Sequence, residues 1–430
     1  MNRAAIRVAL IFLAFAGLAS CNGGMGSPNG QQTSELKFRA FVSNPLQPAA
    51  GGGGGPVLNI IDANVDVESA FIVGLSGISN PGLMAESPNL GFTMVFASGG
   101  NTISVVDNAR EGPAVGPSGQ TLSAISLPGP TESMFVGSDN GTGWAAVPTA
   151  AQTNPPAPPG GVIVMSLATA TIAANVPVPS AHYVTGSHNG NRVLVFPDNS
   201  TDVVVLAPSL IGTTTDPRTV VPGFDDPVWG VFSPDDTLAY IFNCGAECGG
   251  TTASITVLNL VTNTAGPTVP VPAASYGMLV GNTLYVAGTP PNTPCPSGTP
   301  VPNCGTLTIL DVSSATPTIV NSSPILITDG YHNRMEMASN GRIYIGSKNC
   351  TSALGMRGCL SIYNTTTSAV VVPPASGDVT GIAPVTGRNV VYVCQGANFF
   401  PYDTTTDAVE SLTTPITIIG MPVDVKIVDP

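Results

Sequence analysis

Six of the eight cysteines fall in three close pairs, which could form disulfides or supply part of a metal site. The pairs are Cys244 with Cys248, Cys295 with Cys304, and Cys350 with Cys359. A zinc site needs four converging ligands and no histidine accompanies any pair, so disulfides are favoured over zinc. Disulfides persist in oxidising compartments, so the pairs predict an exported protein. Cys394 is left over and is predicted to be a buried thiol.

Residues able to do acid–base chemistry are few and scattered. The paired carboxylates Asp225-Asp226 and Asp235-Asp236 occupy a connection and a turn, where structural roles are predicted and calcium binding is the alternative. No dinucleotide motif or Cys-x-x-Cys-His haem attachment motif is present. We therefore predict no metal and no cofactor, and favour a non-catalytic protein over an enzyme.

The N-terminus has the pattern of an export signal. Arg3 and Arg7 precede an apolar stretch, residues 8–17, that is too short to span a bilayer. The following Leu18-Ala19-Ser20-Cys21 resembles the lipobox of bacterial lipoproteins, which implies that Cys21 carries the lipid anchor. The alternative is an ordinary secretory signal with a chance cysteine. Residues 1–20 are thus predicted as a signal peptide, 21–36 as a flexible tether and 37–430 as the folded domain.

The folded domain is built from a repeated unit, which is clearest in residues 233–264. A Ser-Pro-Asp-Asp turn precedes a strand ending near Phe242, and a cysteine loop connects it to a second strand ending at Asn259. Only 9% of residues are charged, while glycine and proline number 49 and 41, a composition typical of turn-rich all-β proteins.

Seven such copies can be traced between residues 82 and 412, each predicted as a four-stranded antiparallel sheet. Residues 38–75 contain three further strands, and residues 423–428 contain one orphan strand. Together these ends complete an eighth unit, as in β-propellers, where the last strand joins the first blade. The sequence therefore predicts a single eight-bladed β-propeller, with seven blades as the alternative if residues 133–176 are loop.

Three segments carry a family resemblance. SPDDTLAYIFN, GNTLYVAG and NGRIYIGS, each followed by a strand ending in Asn or Asp, resemble the YVTN-type β-propeller repeat of bacterial and archaeal surface proteins. The match is close in the last four blades and looser in the first four. The resemblance implies a propeller fold and an envelope location, and it carries no catalytic residues.

The longest loops are predicted on one face of the propeller. They connect the second and third strands of several blades, and three of them hold the cysteine pairs. Insertions on one face of a repeat array indicate the interaction face, with drift in tolerant loops as the alternative. The residues predicted to ring the channel mouth on this face are His182, Trp229, Tyr276, Tyr331, His332, Arg334, Glu336 and Asp424. The alternative for this ring is packing between blades.

The charge balance limits the partners. Removal of residues 1–20 leaves 11 of the 13 basic residues against all 26 acidic ones, so nucleic acid is an improbable ligand. The predicted function is a monomeric, lipid-anchored envelope propeller that binds a protein or polymer through the disulfide-braced face. The alternatives are a hydrolase, lactonase or oxidoreductase working at the channel mouth, and a structural surface-layer component.

Overall fold

A computed structural model describes residues 32–46, 55–75, 77–152, 158–291, 295, 304–321, 323–351, 358–410 and 416–429. Within them the backbone forms eight antiparallel sheets and two short 3₁₀ helices, Pro208–Leu210 and Gly245–Glu247. The predicted all-β class and the eight blades are confirmed. The predicted signal peptide, residues 1–20, and Cys21 lie outside the described residues.

The first four blades include the one that seemed weakest in sequence, residues 133–176, which forms a complete four-stranded sheet. In blade 2 the outermost position is divided between two short strands that both pair with the third strand. The strands are β1 (Arg39–Asn44), β2 (Val57–Asp62) and β3 (Val67–Gly74) in blade 1; β4 (Pro81–Glu86), β5 (Phe92–Ala97), β6 (Thr102–Asp107), β7 (Gly112–Pro113) and β8 (Ile125–Ser126) in blade 2; β9 (Ser133–Val136), β10 (Thr142–Val147), β11 (Gly161–Ser166) and β12 (Thr171–Pro177) in blade 3; β13 (Ala181–Gly186), β14 (Val193–Pro197), β15 (Asp202–Leu206) and β16 (Arg218–Pro222) in blade 4.

The last four blades follow the same order, and blade 6 has a divided outermost position like that of blade 2. The strands are β17 (Pro227–Phe232), β18 (Leu238–Asn243), β19 (Ser254–Asn259) and β20 (Thr264–Pro270) in blade 5; β21 (Tyr276–Val280), β22 (Thr283–Gly288), β23 (Gly305–Asp311), β24 (Thr318–Ile319) and β25 (Ile325–Ile327) in blade 6; β26 (Tyr331–Met337), β27 (Arg342–Lys348), β28 (Leu360–Asn364) and β29 (Val370–Val371) in blade 7; β30 (Val379–Pro384), β31 (Val390–Gln395), β32 (Asn398–Asp403) and β33 (Ala408–Val409) in blade 8; and β34 (Val425–Ile427), which completes blade 1.

The ring is closed by the C-terminal strand, as the sequence predicts. Strand β34 pairs antiparallel with β1 and becomes the innermost strand of blade 1. The backbone N–H of Ser43 donates to the Asp424 carbonyl at 3.0 Å, and the Asp424 N–H donates to the Ser43 hydroxyl at 3.0 Å. The innermost strands of all eight blades contact one another in sequence around the axis. The two ends of the chain are therefore held in one sheet, which removes two sheet edges.

The hydrophobic core lies between neighbouring blades. Second and third strands such as β18 and β19 are buried on both faces, whereas outermost strands such as β20 are largely exposed. Tyr240 and Phe242 of blade 5 pack with Leu284 and Val286 of blade 6. This explains why the middle strands are almost continuously apolar rather than alternating.

Glycines allow the blades to converge near the axis. A Cβ atom at Gly277, on the innermost strand of blade 6, would lie 2.2 Å from the Tyr285 carbonyl oxygen and 2.5 Å from the Phe242 ring. Gly230 faces Phe196 of the preceding blade in the same way, at 2.9 Å. Only glycine fits these positions without displacing an aromatic ring of the neighbouring blade.

Candidate functional site

The central channel opens on the cysteine-loop face into a cavity of about 190 Å³, here called the mouth cavity. Residues from the innermost strands of seven blades line it, and β26 of blade 7 supplies four of them. One wall is aromatic: the rings of Trp229 and Tyr276 stack with centroids 5.0 Å apart, and Tyr183 meets Trp229 edge-on at 6.3 Å. Tyr331 closes the wall towards the cysteine loops.

Charged side chains form the rest of the mouth cavity. Arg334, Lys348 and Lys426 supply positive charge, and Glu132 and Glu336 supply negative charge. The side chain of Glu336 is exposed to solvent in the channel, although the residue lies deep within the protein. This depth raises its pKa, and the charges of Lys426 and Arg334 oppose that rise. The cavity thus combines flat apolar surfaces with both signs of charge, a composition typical of ligand sites.

β-bulges set the direction of these side chains. The pairing of the first and second strands is interrupted after Ala181 in blade 4, after Pro227 in blade 5 and after His332 in blade 7. Each bulge inserts one extra residue near the loop-face end of the innermost strand, and bulges re-aim the side chains around them. The residue that follows each extra residue lines the mouth cavity: Tyr183, Trp229 and Arg334.

A second compartment of about 290 Å³, here called the histidine compartment, adjoins the mouth cavity and shares Glu132, Tyr183 and Tyr331 with it. The bulge residue His182 lies here, with its Nδ1 2.5 Å from Asp198 Oδ1 and its Nε2 3.9 Å from Glu132 Oε2. Burial alone would lower the pKa of His182, but the interactions with Asp198 and Glu132 raise it to about 9. The imidazole is therefore a cation at neutral pH and is not available as a general base.

The Cys244–Cys248 loop lies beside the histidine compartment. The two cysteines are disulfide-bonded with Cα atoms 5.6 Å apart, and Cys248 lines the compartment. Glu247, inside the loop, accepts a hydrogen bond from the Thr289 N–H at 2.8 Å, and burial raises its pKa to about 7. The loop is thereby fixed to the neighbouring blade at the edge of the mouth.

The other two predicted disulfides, Cys295–Cys304 and Cys350–Cys359, are also present, so all three pairings are confirmed. Cys394 is buried as predicted, and burial raises the pKa of its thiol. Three disulfides indicate an oxidising, extracytoplasmic environment. No helix in the described part of the chain is long and apolar enough to cross a bilayer.

The carboxylate pairs have structural partners. Asp225 accepts hydrogen bonds from the backbone N–H groups of Thr251 and Thr252, at 3.0 and 2.7 Å, and so fixes the end of the cysteine loop. Asp235 accepts from the Ser233 hydroxyl at 2.7 Å within its turn. Among the described residues no group of three or more histidine, cysteine or acidic side chains is arranged to hold a metal ion.

Most of the ring residues named from the sequence converge on the mouth. Trp229, Tyr276, Tyr331, Arg334 and Glu336 line the mouth cavity, and His182 lies in the adjoining compartment. Two others are placed elsewhere and serve the scaffold.

His332 is fully buried, with Nε2 3.0 Å from the Thr328 carbonyl oxygen, and burial lowers its pKa to about 4. The bulge in β26 directs it between blades 6 and 7, where it packs against Gly305. Asp424 is also buried, and its carboxylate accepts the Met84 N–H at 2.8 Å. Asp424 thus joins the closing strand to blade 2 instead of facing a ligand.

Four residues of the site were missed in the sequence: Glu132, Tyr183, Lys348 and Lys426. Glu132 immediately precedes β9 and Tyr183 is the third residue of β13, so both lie beside strand entries that the repeat pattern identifies. Lys348 ends the second strand of blade 7 opposite Tyr331, so strand pairing carries a signal for it.

The comparisons with known proteins give a fold and no family. No protein-family model matches the chain, and no curated protein matches it in sequence. The YVTN-type repeat therefore stays a prediction.

Solved structures are similar in fold. Dihydro-heme d1 dehydrogenase NirN in complex with DHE superposes with a TM-score of 0.61 and 12% identity, over 96% of this chain and 78% of that one. Kuenenia stuttgartiensis hydrazine synthase gives 0.56 and 12%, over 78% and 98%. A putative 6-phosphogluconolactonase from Bacteroides fragilis gives 0.51 and 10%, over 93% and 99%. At these identities the likeness shows the propeller alone, since one fold hosts many functions.

Proposed function

We propose that this protein is a non-catalytic, lipid-anchored β-propeller of the bacterial envelope, which binds an envelope protein or polymer at the cysteine-loop face. The observation that carries the proposal is the convergence of the mouth cavity and the histidine compartment beside the Cys244–Cys248 loop. Tryptophan and tyrosine, which line this recess, are among the residue types that dominate binding energies at interfaces.

The chemistry of the mouth favours binding over catalysis. His182 is held between two carboxylates in its charged form, so it has no basic nitrogen to offer at neutral pH. The nearby Ser133 hydroxyl accepts from the Val184 N–H at 3.0 Å and donates to the Val184 carbonyl at 3.2 Å, which ties it to the backbone. A nucleophile activated by a base needs both partners in contact, and this pair lacks that arrangement.

The proposed location follows from separate features. The three disulfides support an oxidising compartment, and the lipobox-like Leu18 to Cys21 supports a lipid anchor there. A monomer is proposed because β34 pairs with β1 of the same chain, so blade 1 is completed without a strand from a second copy.

Site-specific photo-crosslinking in intact cells tests the proposal. A photoreactive amino acid replaces Thr252, exposed in the cysteine loop, or Thr262, exposed in the turn at the other end of β19. The six-residue strand separates the two positions by about 20 Å, so they sample opposite faces of the same blade. We expect a distinct, non-self crosslinked product from Thr252 and none from Thr262. Equal labelling at both positions, or self-crosslinks alone, would contradict a dedicated binding face.

A further inference from the structure

The mouth cavity concentrates positive charge in an acidic protein. The chain has 13 basic residues against 26 acidic ones, yet Arg334, Lys348 and Lys426 all line this one small cavity. Two of them come from blade 7 and the third from the closing strand of blade 1. Separate elements of the fold thus bring cations to the same point.

Arg334 differs from four ion-paired arginines elsewhere in the described chain. Arg39, Arg218, Arg342 and Arg388 each form an ion pair with a carboxylate. Arg334 instead donates to backbone carbonyls, to Asn333 at 3.0 Å and to Thr380 at 3.3 Å. Within the residues that the structure describes, no carboxylate oxygen lies within 4.0 Å of the charged nitrogens of Arg334 or Lys348. Both can therefore bind an external anion without first breaking an internal ion pair.

The cavity also offers acceptors and flat surfaces. The side chain of Glu132 is 61% exposed, and Glu336 is open to the channel water, so both carboxylates can accept hydrogen bonds from hydroxyl groups. The stacked Trp229 and Tyr276 and the edge-on Tyr183 provide an aromatic wall. A ligand that matches all three features carries a carboxylate, several hydroxyls and a face of C–H groups.

We propose that the mouth cavity binds a uronic-acid unit of an acidic polysaccharide. Its carboxylate pairs with Arg334 and Lys348, its hydroxyls donate to Glu132 and Glu336, and its ring lies against the aromatic wall. The carboxylate pairing is the strong contact, because charge-assisted hydrogen bonds are about twice as strong as neutral ones. This inference rests on the proposed binding function and specifies its ligand.

A peptide C-terminus is the competing source of a carboxylate. It would satisfy the two cations, but its backbone brings one N–H donor per residue, whereas a single uronic-acid ring presents several hydroxyl donors to Glu132 and Glu336 in the same cavity. The acidic sugar satisfies both sets of groups, so the observations favour it.

The test is calorimetric titration of the folded, exported domain with tetragalacturonate at pH 7. The matched probes are its carboxyl-reduced, neutral counterpart and an acetylated tetrapeptide ending in tyrosine with a free carboxylate. We expect tetragalacturonate to bind, and the neutral tetrasaccharide to bind about tenfold more weakly or not at all. The affinity for tetragalacturonate is expected to fall as the salt concentration rises from about 50 to about 500 mM, because the electrostatic screening length shortens about threefold over this range.

Two variants assign the contact. Arg334→Gln and Lys348→Gln are each expected to weaken tetragalacturonate binding about tenfold. Arg218→Gln and Lys37→Gln, at exposed positions away from the mouth cavity, are the matched controls and are expected to leave it unchanged. Because Arg334 also bonds backbone carbonyls, its thermal unfolding midpoint is compared with that of wild type, and Lys348→Gln provides the test if Arg334→Gln is unstable.

Equal binding of the neutral tetrasaccharide would overturn the carboxylate contact, and preferential binding of the tetrapeptide would overturn the sugar. If no saccharide binds while Thr252 still crosslinks a partner, the uronate inference fails and the proposed binding face stands. If tetragalacturonate binds with unchanged affinity in both mouth variants, the assigned site is wrong.

Discussion

One buried arginine links blade 1 to blade 2 beside the closing strand, and its replacement tests how much a buried ion-pair network stabilises the propeller. The Arg39 guanidinium contacts Asp429 Oδ1 and Glu111 Oε1, each at 2.7 Å, and the Asn108 carbonyl oxygen at 2.9 Å. These contacts join blade 1 to blade 2 and to the second residue after the closing strand. Arg39→Met keeps the aliphatic stem and removes the charge and all of these hydrogen bonds.

The expected cost follows from burial. The side chains of Arg39, Glu111 and Asp429 are only 8%, 3% and 14% exposed, so the variant leaves two carboxylates in a poorly solvated site. Removal of one partner from a buried ion pair costs about 3–5 kcal/mol. Arg218 is a control of the same chemistry, since it contacts Asp216 at 2.7 Å but with side chains 36% and 55% exposed. For Arg218→Met we expect about 0–1 kcal/mol.

Urea unfolding of both variants, followed by circular dichroism, measures the difference. We expect a large fall in the free energy of unfolding for Arg39→Met and a small one for Arg218→Met. A second substitution, Asp429→Asn, made in the Arg39→Met background is expected to recover part of the loss, because it removes one of the two buried carboxylate charges that lose the guanidinium. Equal destabilisation by Arg39→Met and Arg218→Met would refute the reasoning from burial.

Three further predictions concern the histidine compartment, the anchor and the cysteine loop. The raised pKa of His182 means that its pairing with Asp198 stabilises the protein below pH 6.5 and that this contribution is lost as the pH rises through about 9. At pH 6 the free energy of unfolding of His182→Gln, from thermal unfolding, should therefore be about 1 kcal/mol lower than that of wild type, since the partners are partly exposed. The difference should vanish by pH 10, and a difference independent of pH would count against the ion pair. Cys21→Ser should move the protein from the membrane fraction to the soluble fraction, and retention in the membrane would argue against lipidation. Replacement of Cys244 and Cys248 by serine should lower the free energy of unfolding by about 2 kcal/mol in urea titrations, because the closed loop is short; no change would mean that the loop is held without the bond.

The blade pattern was predictable because it rests on local signals repeated many times. Short apolar strands such as β18 and Asp- or Asn-ended strands such as β19 alternate with turns, and the leftover ends fit together as β34 and β1. The middle strands of each blade are buried on both faces, so a copy with a weak strand pattern can be assigned by comparison with the clearer copies.

The details of the mouth depended on geometry that residue types do not encode. The bulge after Ala181 turns His182 towards Asp198 and leaves Tyr183 facing the channel, and nothing in the residue types there predicts an inserted position. The same effect in β26 buries His332 and exposes Arg334 to the mouth. The register of a strand decides which of its side chains can contact a ligand. One inserted residue switches the neighbouring side chains to the opposite face of the strand.

The most direct test of the central claim uses Trp229 as a reporter inside the mouth. The chain has two tryptophans, and Trp144 is buried against Phe135 in blade 3, so Trp144→Phe leaves Trp229 as the only source of tryptophan fluorescence. The partner captured through Thr252 is titrated into this variant. A saturable change in Trp229 emission, with the same affinity as binding measured independently, is the predicted result. Saturable binding with unchanged Trp229 emission would contradict a binding site at the channel mouth.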